Sequence, residues 1–271
     1  MTVLQGFALA ALVSQQAVPP VPSQPSSAVA HQQRLAQAAK IGGLLYLYDR
    51  AAWVSSDALA AKVTKDQLTG IGGYVVEPID GQGLRVTYFR GKGVDARAFF
   101  HADVRDGKVV DSDLTVTPTP LTPAQSLLAR ARENAAAAAV RLGYKPCTAA
   151  PFNTVVLPSP NGGPSIVYLL SAQLDLRSYP IGGNYRVIVG ADGAIVANRP
   201  YSVACLNVEI PSLPPKAKPV GVIVNHLLDP VPTEIHVFAS YNLRMPVFVG
   251  TPDRQIWKVA GQTITPADVK R

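Results

Sequence analysis

Two of the chain's four histidines and two carboxylates fall between positions 226 and 236, in the stretch NHLLDPVPTEIHVF that spans residues 225–238. Imidazole nitrogens and carboxylate oxygens together suit zinc or another transition metal, and a leftover carboxylate can act as general base toward a metal-bound water. His226, Asp229, Glu234 and His236 are therefore candidate catalytic residues of a metal-dependent hydrolase. His226 and His236 are the candidate metal ligands, and zinc is the implied ion. Residues 233–241 read as a strand, whose period of two would put Glu234, His236, Phe238 and Ser240 on one face and Ile235 and Val237 on the other. The turn DPVP would then fold His226 and Asp229 back toward that face.

A bend between two strands explains the same residues with fewer assumptions. Asp229 before Pro230 is turn chemistry, Pro232 stiffens the loop, and Thr233 opens the next element. The spacing matches no metal signature, and the helical H-E-x-x-H pattern is absent. The structural reading is preferred, leaving no cofactor expected and zinc as the alternative.

Other chemistry is less well supported. There is no G-x-S-x-G, and Ser165 opens a strand instead of sitting in a strand-to-helix elbow. The pairs Gly72-Gly73, Gly162-Gly163 and Gly182-Gly183 lack both the dinucleotide fingerprint and the P-loop lysine, so they read as turns and strand entries. Tyr185-Arg186 and Arg199 fall on facing strands of a hairpin about Asp192-Gly193. They are placed to line a groove for an anionic ligand, although an exposed arginine pair is the default. Trp53, Trp257, Tyr46, Tyr48, Tyr74 and Tyr88 are expected as packing residues.

The elements that must position these groups follow from the pattern along the chain. At 271 residues, 48% hydrophobic and 16% charged with 24 Pro and 21 Gly, the composition is that of a globular protein with many strands and tight turns. Residues 1–30 form a signal-like segment and a Pro/Ser-rich tether. Its apolar run Phe7–Val13 has signal-peptide length, far short of the roughly 20 residues a membrane span needs. No Lys or Arg precedes that run. From His31 to about residue 63 the chain reads as one bent helix or two shorter ones, with a break or kink at Gly42-Gly43 and a restart at Ser55-Ser56-Asp57. Strands separated by Asp80-Gly81 and Asp106-Gly107 then make a four-stranded antiparallel meander.

A second helix begins at Thr122-Pro123-Ala124-Gln125, where Thr caps, Pro fills the first helical position and Gln completes a capping box. Gly143 ends it. A multi-stranded antiparallel sheet follows. The fold class is α+β, in two units of residues 31–117 and 118–271, each a helix packed on an antiparallel sheet.

Cys147 and Cys205 are the only cysteines, and as a lone pair they read as a disulfide in an oxidising compartment. Neither sits in a C-x-x-C pair or beside a histidine. The net charge of +7 is scattered, with small groupings at Lys216 and Lys218 and at Lys270-Arg271. No basic run interleaves with aromatics, so nucleic acid is not an expected partner.

GGNYRVIVGADG, HLLDPVPTEIHVF and RQIWKV in the second half resemble a group of uncharacterised exported proteins of Gram-negative bacteria. That group carries no established activity, and the resemblance implies export alone. The helix-then-meander layout of the first half is similar to cystatin-like and PepSY-like domains, in architecture only. The expectation is a periplasmic or secreted, non-enzymatic protein with an interaction or structural role toward a protein or envelope component, with no stable membrane span in the mature chain. The alternatives are the metal-dependent hydrolase and a small-ligand-binding module.

Overall fold

A computed structural model describes residues 27–159, 162–210 and 220–267. The signal-like segment up to residue 26, the turn residues Pro160 and Asn161, the loop with Lys216 and Lys218, and Lys270-Arg271 lie outside the described residues.

The chain is α+β. Helix α1 (Ser27–Ala60) leads into β1 (Ile71–Ile79), β2 (Gly83–Arg90), β3 (Arg97–Arg105) and β4 (Lys108–Pro120), an antiparallel sheet in sequence order. Its hairpins form where Asp-Gly signals them: Asp106 and Gly107 both take positive φ, 48° and 68°, and Arg105 pairs with Lys108 across them. Helix α2 (Pro123–Arg141) starts on the expected capping box, in which Thr122 and Gln125 each bond the other's backbone N–H.

Beyond α2, strands β5 (Asn153–Leu157), β6 (Ser165–Leu170), β8 (Tyr185–Val189) and β9 (Ile195–Pro200) form a second antiparallel sheet. A short antiparallel pair, β7 (Ser178–Pro180) with β10 (Asn207–Glu209), forms a separate two-stranded sheet. The last sheet joins β11 (Val222–Asn225), β12 (Val247–Gly250), β13 (Ile256–Ala260) and β14 (Thr263–Pro266).

Two expectations about elements are corrected. Residues 233–241 do not form a strand; Glu234–Leu243 is a helix, α3, and β11 and β12 on either side of it run parallel. Parallel neighbours need a crossover, and α3 supplies it. The difference has a physical cause: eight of the ten residues of α3 are buried, the polar Glu234, His236 and Ser240 among them, so no polar outer stripe marks a helix, and the opening Glu-Ile-His-Val alternates as a strand does. Nor does α1 break at Gly42-Gly43. A Cβ at Gly42 would lie 2.5 Å from Val237 Cβ and 2.7 Å from the Glu234 carbonyl oxygen, so the missing side chain is what lets α1 and α3 cross.

Three buried clusters hold these layers together. Leu45, Val86, Phe100, Val155, Tyr168 and Ile235 belong to one, which draws on α1, the first two of the three four-stranded sheets and α3 and so spans residues on both sides of position 118. A second lies under α2 and includes Val75, Phe89, Ala135, Val167 and Val187. In the third, α3 packs Val237, Ala239 and Leu243 on Val224, Val247, Val249 and Val259 of the last sheet. Trp53, expected as a packing residue, is instead 60% exposed, with the Arg50 guanidinium 4.7 Å from its ring centroid. No helix among the described residues is long and apolar enough to cross a membrane.

Candidate functional site

The β11–α3 connection carries His226 and Asp229, and the first turn of α3 carries Glu234 and His236. Thr233 caps that helix, with its N–H donating to His236 Nδ1 at 3.0 Å, so the imidazole does at the third helical position what Glu or Gln does in an ordinary capping box. The Thr233 hydroxyl lies 3.1 Å from the same nitrogen. A helix turns about 100° per residue, so Glu234 and His236 point to different sides instead of sharing one strand face.

Glu234 faces the second sheet. Tyr168, Arg186 and Arg199 lie directly opposite one another on β6, β8 and β9, and so share one face of that sheet. Tyr168 donates to Glu234 Oε1 at 2.8 Å, Arg186 pairs with the same oxygen at 3.1 Å, and the Tyr201 hydroxyl donates to it as well. Burial, and then the Glu234 charge, push both tyrosine hydroxyls well above their ordinary pKa, which keeps them neutral donors. Arg199 grips both oxygens of Asp229 and stacks 4.6 Å from the Tyr201 ring centroid. Two arginines opposed on neighbouring strands would repel; the two carboxylates from the α3 side neutralise them. The arginine pair expected to be exposed is therefore partly buried and used.

Asp229 also meets His226 Nε2 at 2.8 Å. Burial alone would raise the Asp229 pKa, but the hydrogen bonds from His226 and Arg199 and their charges outweigh it and hold the carboxyl well below the usual range. The His226 and His236 rings meet edge to face with centroids 4.8 Å apart, and both side chains are almost fully buried. Burial first, then the neighbouring His226, lower the His236 pKa to about 3.

The four residues singled out in the sequence are thus brought together, but not around a common point. Glu234 is committed to two tyrosines and an arginine, Asp229 to Arg199 and His226, and His236 Nδ1 to the cap of its own helix. Among the described residues, no group of three or more His, Cys, Asp or Glu side chains is arranged to hold a metal ion. The donor set does not fit zinc, which needs lone pairs converging at about 2 Å. Sequence reading missed Tyr168, Tyr201 and Thr233. Only Thr233 left a local signal, as the T-x-x-H spacing of a histidine-closed capping box.

Cys147 and Cys205 form a disulfide with Cα atoms 5.3 Å apart. Gly183, with φ of 68°, passes beneath it so closely that a Cβ would lie 2.6 Å from Cys147 Sγ, which gives this glycine pair a packing role beyond a turn. Near Cys205 a cleft of about 150 Å³ opens onto the two histidines, bounded by residues 181–182, 201–206 and 224–227 together with Ile235 and His236. It lies at the carboxyl end of β11, the end of a parallel pair at which α/β folds place ligands.

No family model, curated protein or solved structure matches the chain.

Proposed function

We propose that the protein is an exported, non-catalytic component of the periplasm or cell envelope that works by presenting a rigid folded surface to a protein or envelope partner. The observation that carries this reading is the commitment of His226, Asp229, Glu234 and His236 to partners inside the chain. Each has a structural role that accounts for it: Glu234 and Asp229 tie the α3 side to Tyr168, Arg186, Tyr201 and Arg199, His226 braces Asp229, and His236 Nδ1 closes the cap of its own helix. The Cys147–Cys205 bridge agrees with an oxidising compartment.

Two measurements test it. Fractionation of cells expressing the full chain should place it in the periplasm or medium, and recovery from the cytoplasm alone would refute export. Elemental analysis of the purified protein should find no stoichiometric metal. Retention of one zinc per chain, lost on His226→Ala and on His236→Ala, would replace this reading with the metal-dependent hydrolase.

A further inference from the structure

The cleft over the histidine pair has a hydrogen-bonding pattern that follows from its surroundings. The Asp229 carboxylate already accepts two N–H bonds from Arg199, and its contact with His226 Nε2 places a proton on that nitrogen. In neutral His226 the lone pair is then on Nδ1. The opposite holds at His236, whose Nδ1 accepts the Thr233 N–H, so its proton is on Nε2. One acceptor and one donor remain, on rings in edge-to-face contact.

Neither remaining nitrogen is matched to a partner within the described residues, and neither is sealed away. The one buried side-chain polar atom left unpaired there is Thr148 Oγ1. Both imidazoles line the cleft, and its other walls include Leu206, Val224 and Ile235. No Lys, Arg, Asp or Glu is among its lining residues, and the charges behind it cancel as Arg186 with Glu234 and Arg199 with Asp229. An anion or cation entering would lose hydration without gaining a counter-charge.

We propose that this cleft is a binding site for a small neutral molecule that joins a flat apolar body to a carboxamide. The amide N–H is accepted by His226 Nδ1, the amide carbonyl accepts from His236 Nε2–H, and the body lies against Leu206 and Val224. A volume of about 150 Å³ admits a single six-membered ring with its substituent and little more.

The probe is benzamide, titrated into the full-length, disulfide-bonded protein by calorimetry and by protein-observed NMR. Saturable binding is expected with a dissociation constant on the order of 1 mM, as befits a fragment of this size. Benzoate should bind at least about tenfold more weakly, because its charge finds no partner. Leu206→Trp, which fills the cleft from its rim and leaves both histidines in place, should abolish binding. Val203→Trp on the same rim serves if the first variant does not fold. Absence of saturable benzamide binding in the millimolar range, benzoate binding as tightly as benzamide, or binding unchanged in the rim variants would each overturn the proposal. Cell fractionation and metal content are independent of these outcomes, so this proposal and the proposed function can fail separately.

Discussion

Gly42 of α1 and Val237 of α3 approach until no side chain fits between the helices: a Cβ on Gly42 would stand 2.5 Å from Val237 Cβ. Because α3 also carries Glu234 and His236, this contact fixes the depth at which the site residues sit.

Gly42→Ala sets two effects against each other. Replacing a mid-helix glycine gains up to about 1 kcal/mol in helix propensity. The new methyl group meets a β-branched side chain and a backbone carbonyl, neither of which yields easily, and overpacking of that kind costs about 1–3 kcal/mol. Net destabilisation is expected in urea unfolding, with partial recovery in Gly42→Ala/Val237→Ala. A stabilised single variant would show that the helices separate at little cost.

Removing Glu234 strips the partner from one arginine and two buried tyrosine hydroxyls. Glu234→Ala should cost about 3–5 kcal/mol, the usual penalty for breaking one side of a buried ion pair. Glu234→Gln should cost less, since its carbonyl still accepts a hydrogen bond. Thermal unfolding of both variants checks the order, and equal losses would mean that the charge contributes nothing beyond shape.

Stability should depend on pH through groups of opposite sign. His236 titrates at about 3 in the folded protein and near 6.5 unfolded. The unfolded chain therefore binds the extra proton, and stability present above pH of about 6.5 is lost progressively as pH falls toward 3. Asp229, held low, adds a loss as pH falls below about 4.

Asp49 runs the other way. Burial, only partly offset by the hydrogen bond from Asn153 and the nearby Arg50, pushes its pKa up to about 6, so the folded state holds the proton and stability declines as pH rises from about 4 to 6. Asp49→Asn should remove that decline, gaining up to about 3 kcal/mol at pH 7 and almost nothing at pH 4. Urea unfolding at the two pH values measures the difference, and an equal effect at both would assign it to packing.

Thiol titration of the native protein should find no free cysteine. Reducing the bridge that closes a separation of 58 residues should cost about 4 kcal/mol in the chain-entropy account. Two reactive thiols in the native protein would defeat the assignment.

Local chemistry made much of the fold legible. The Asp106-Gly107 hairpin and the Thr122/Gln125 capping box each need only a few neighbouring residues, so their signals survive in the sequence. The segment 233–243 was not legible in the same way, because burial on every side removes the polar stripe that reveals a helix. His226, Asp229, Glu234 and His236 could be picked out by type and spacing, but the partners of the two carboxylates, Tyr168, Arg186, Arg199 and Tyr201, come from the second sheet and the residue just past its β9, far away in the chain.

By itself, then, the sequence determined the α+β class, the meander, the α2 boundaries and the lone cysteine pair, because turns, caps and composition act over short range. Only the tertiary structure decided that 233–243 is a crossover helix, that Gly42 is a point of contact within a continuous helix, and that the acids near the chain's end meet arginines and tyrosines. Those outcomes depend on which distant surfaces are brought together, since burial and neighbouring charge, not residue type, decide whether a carboxylate or an imidazole is a ligand, a base or a tie.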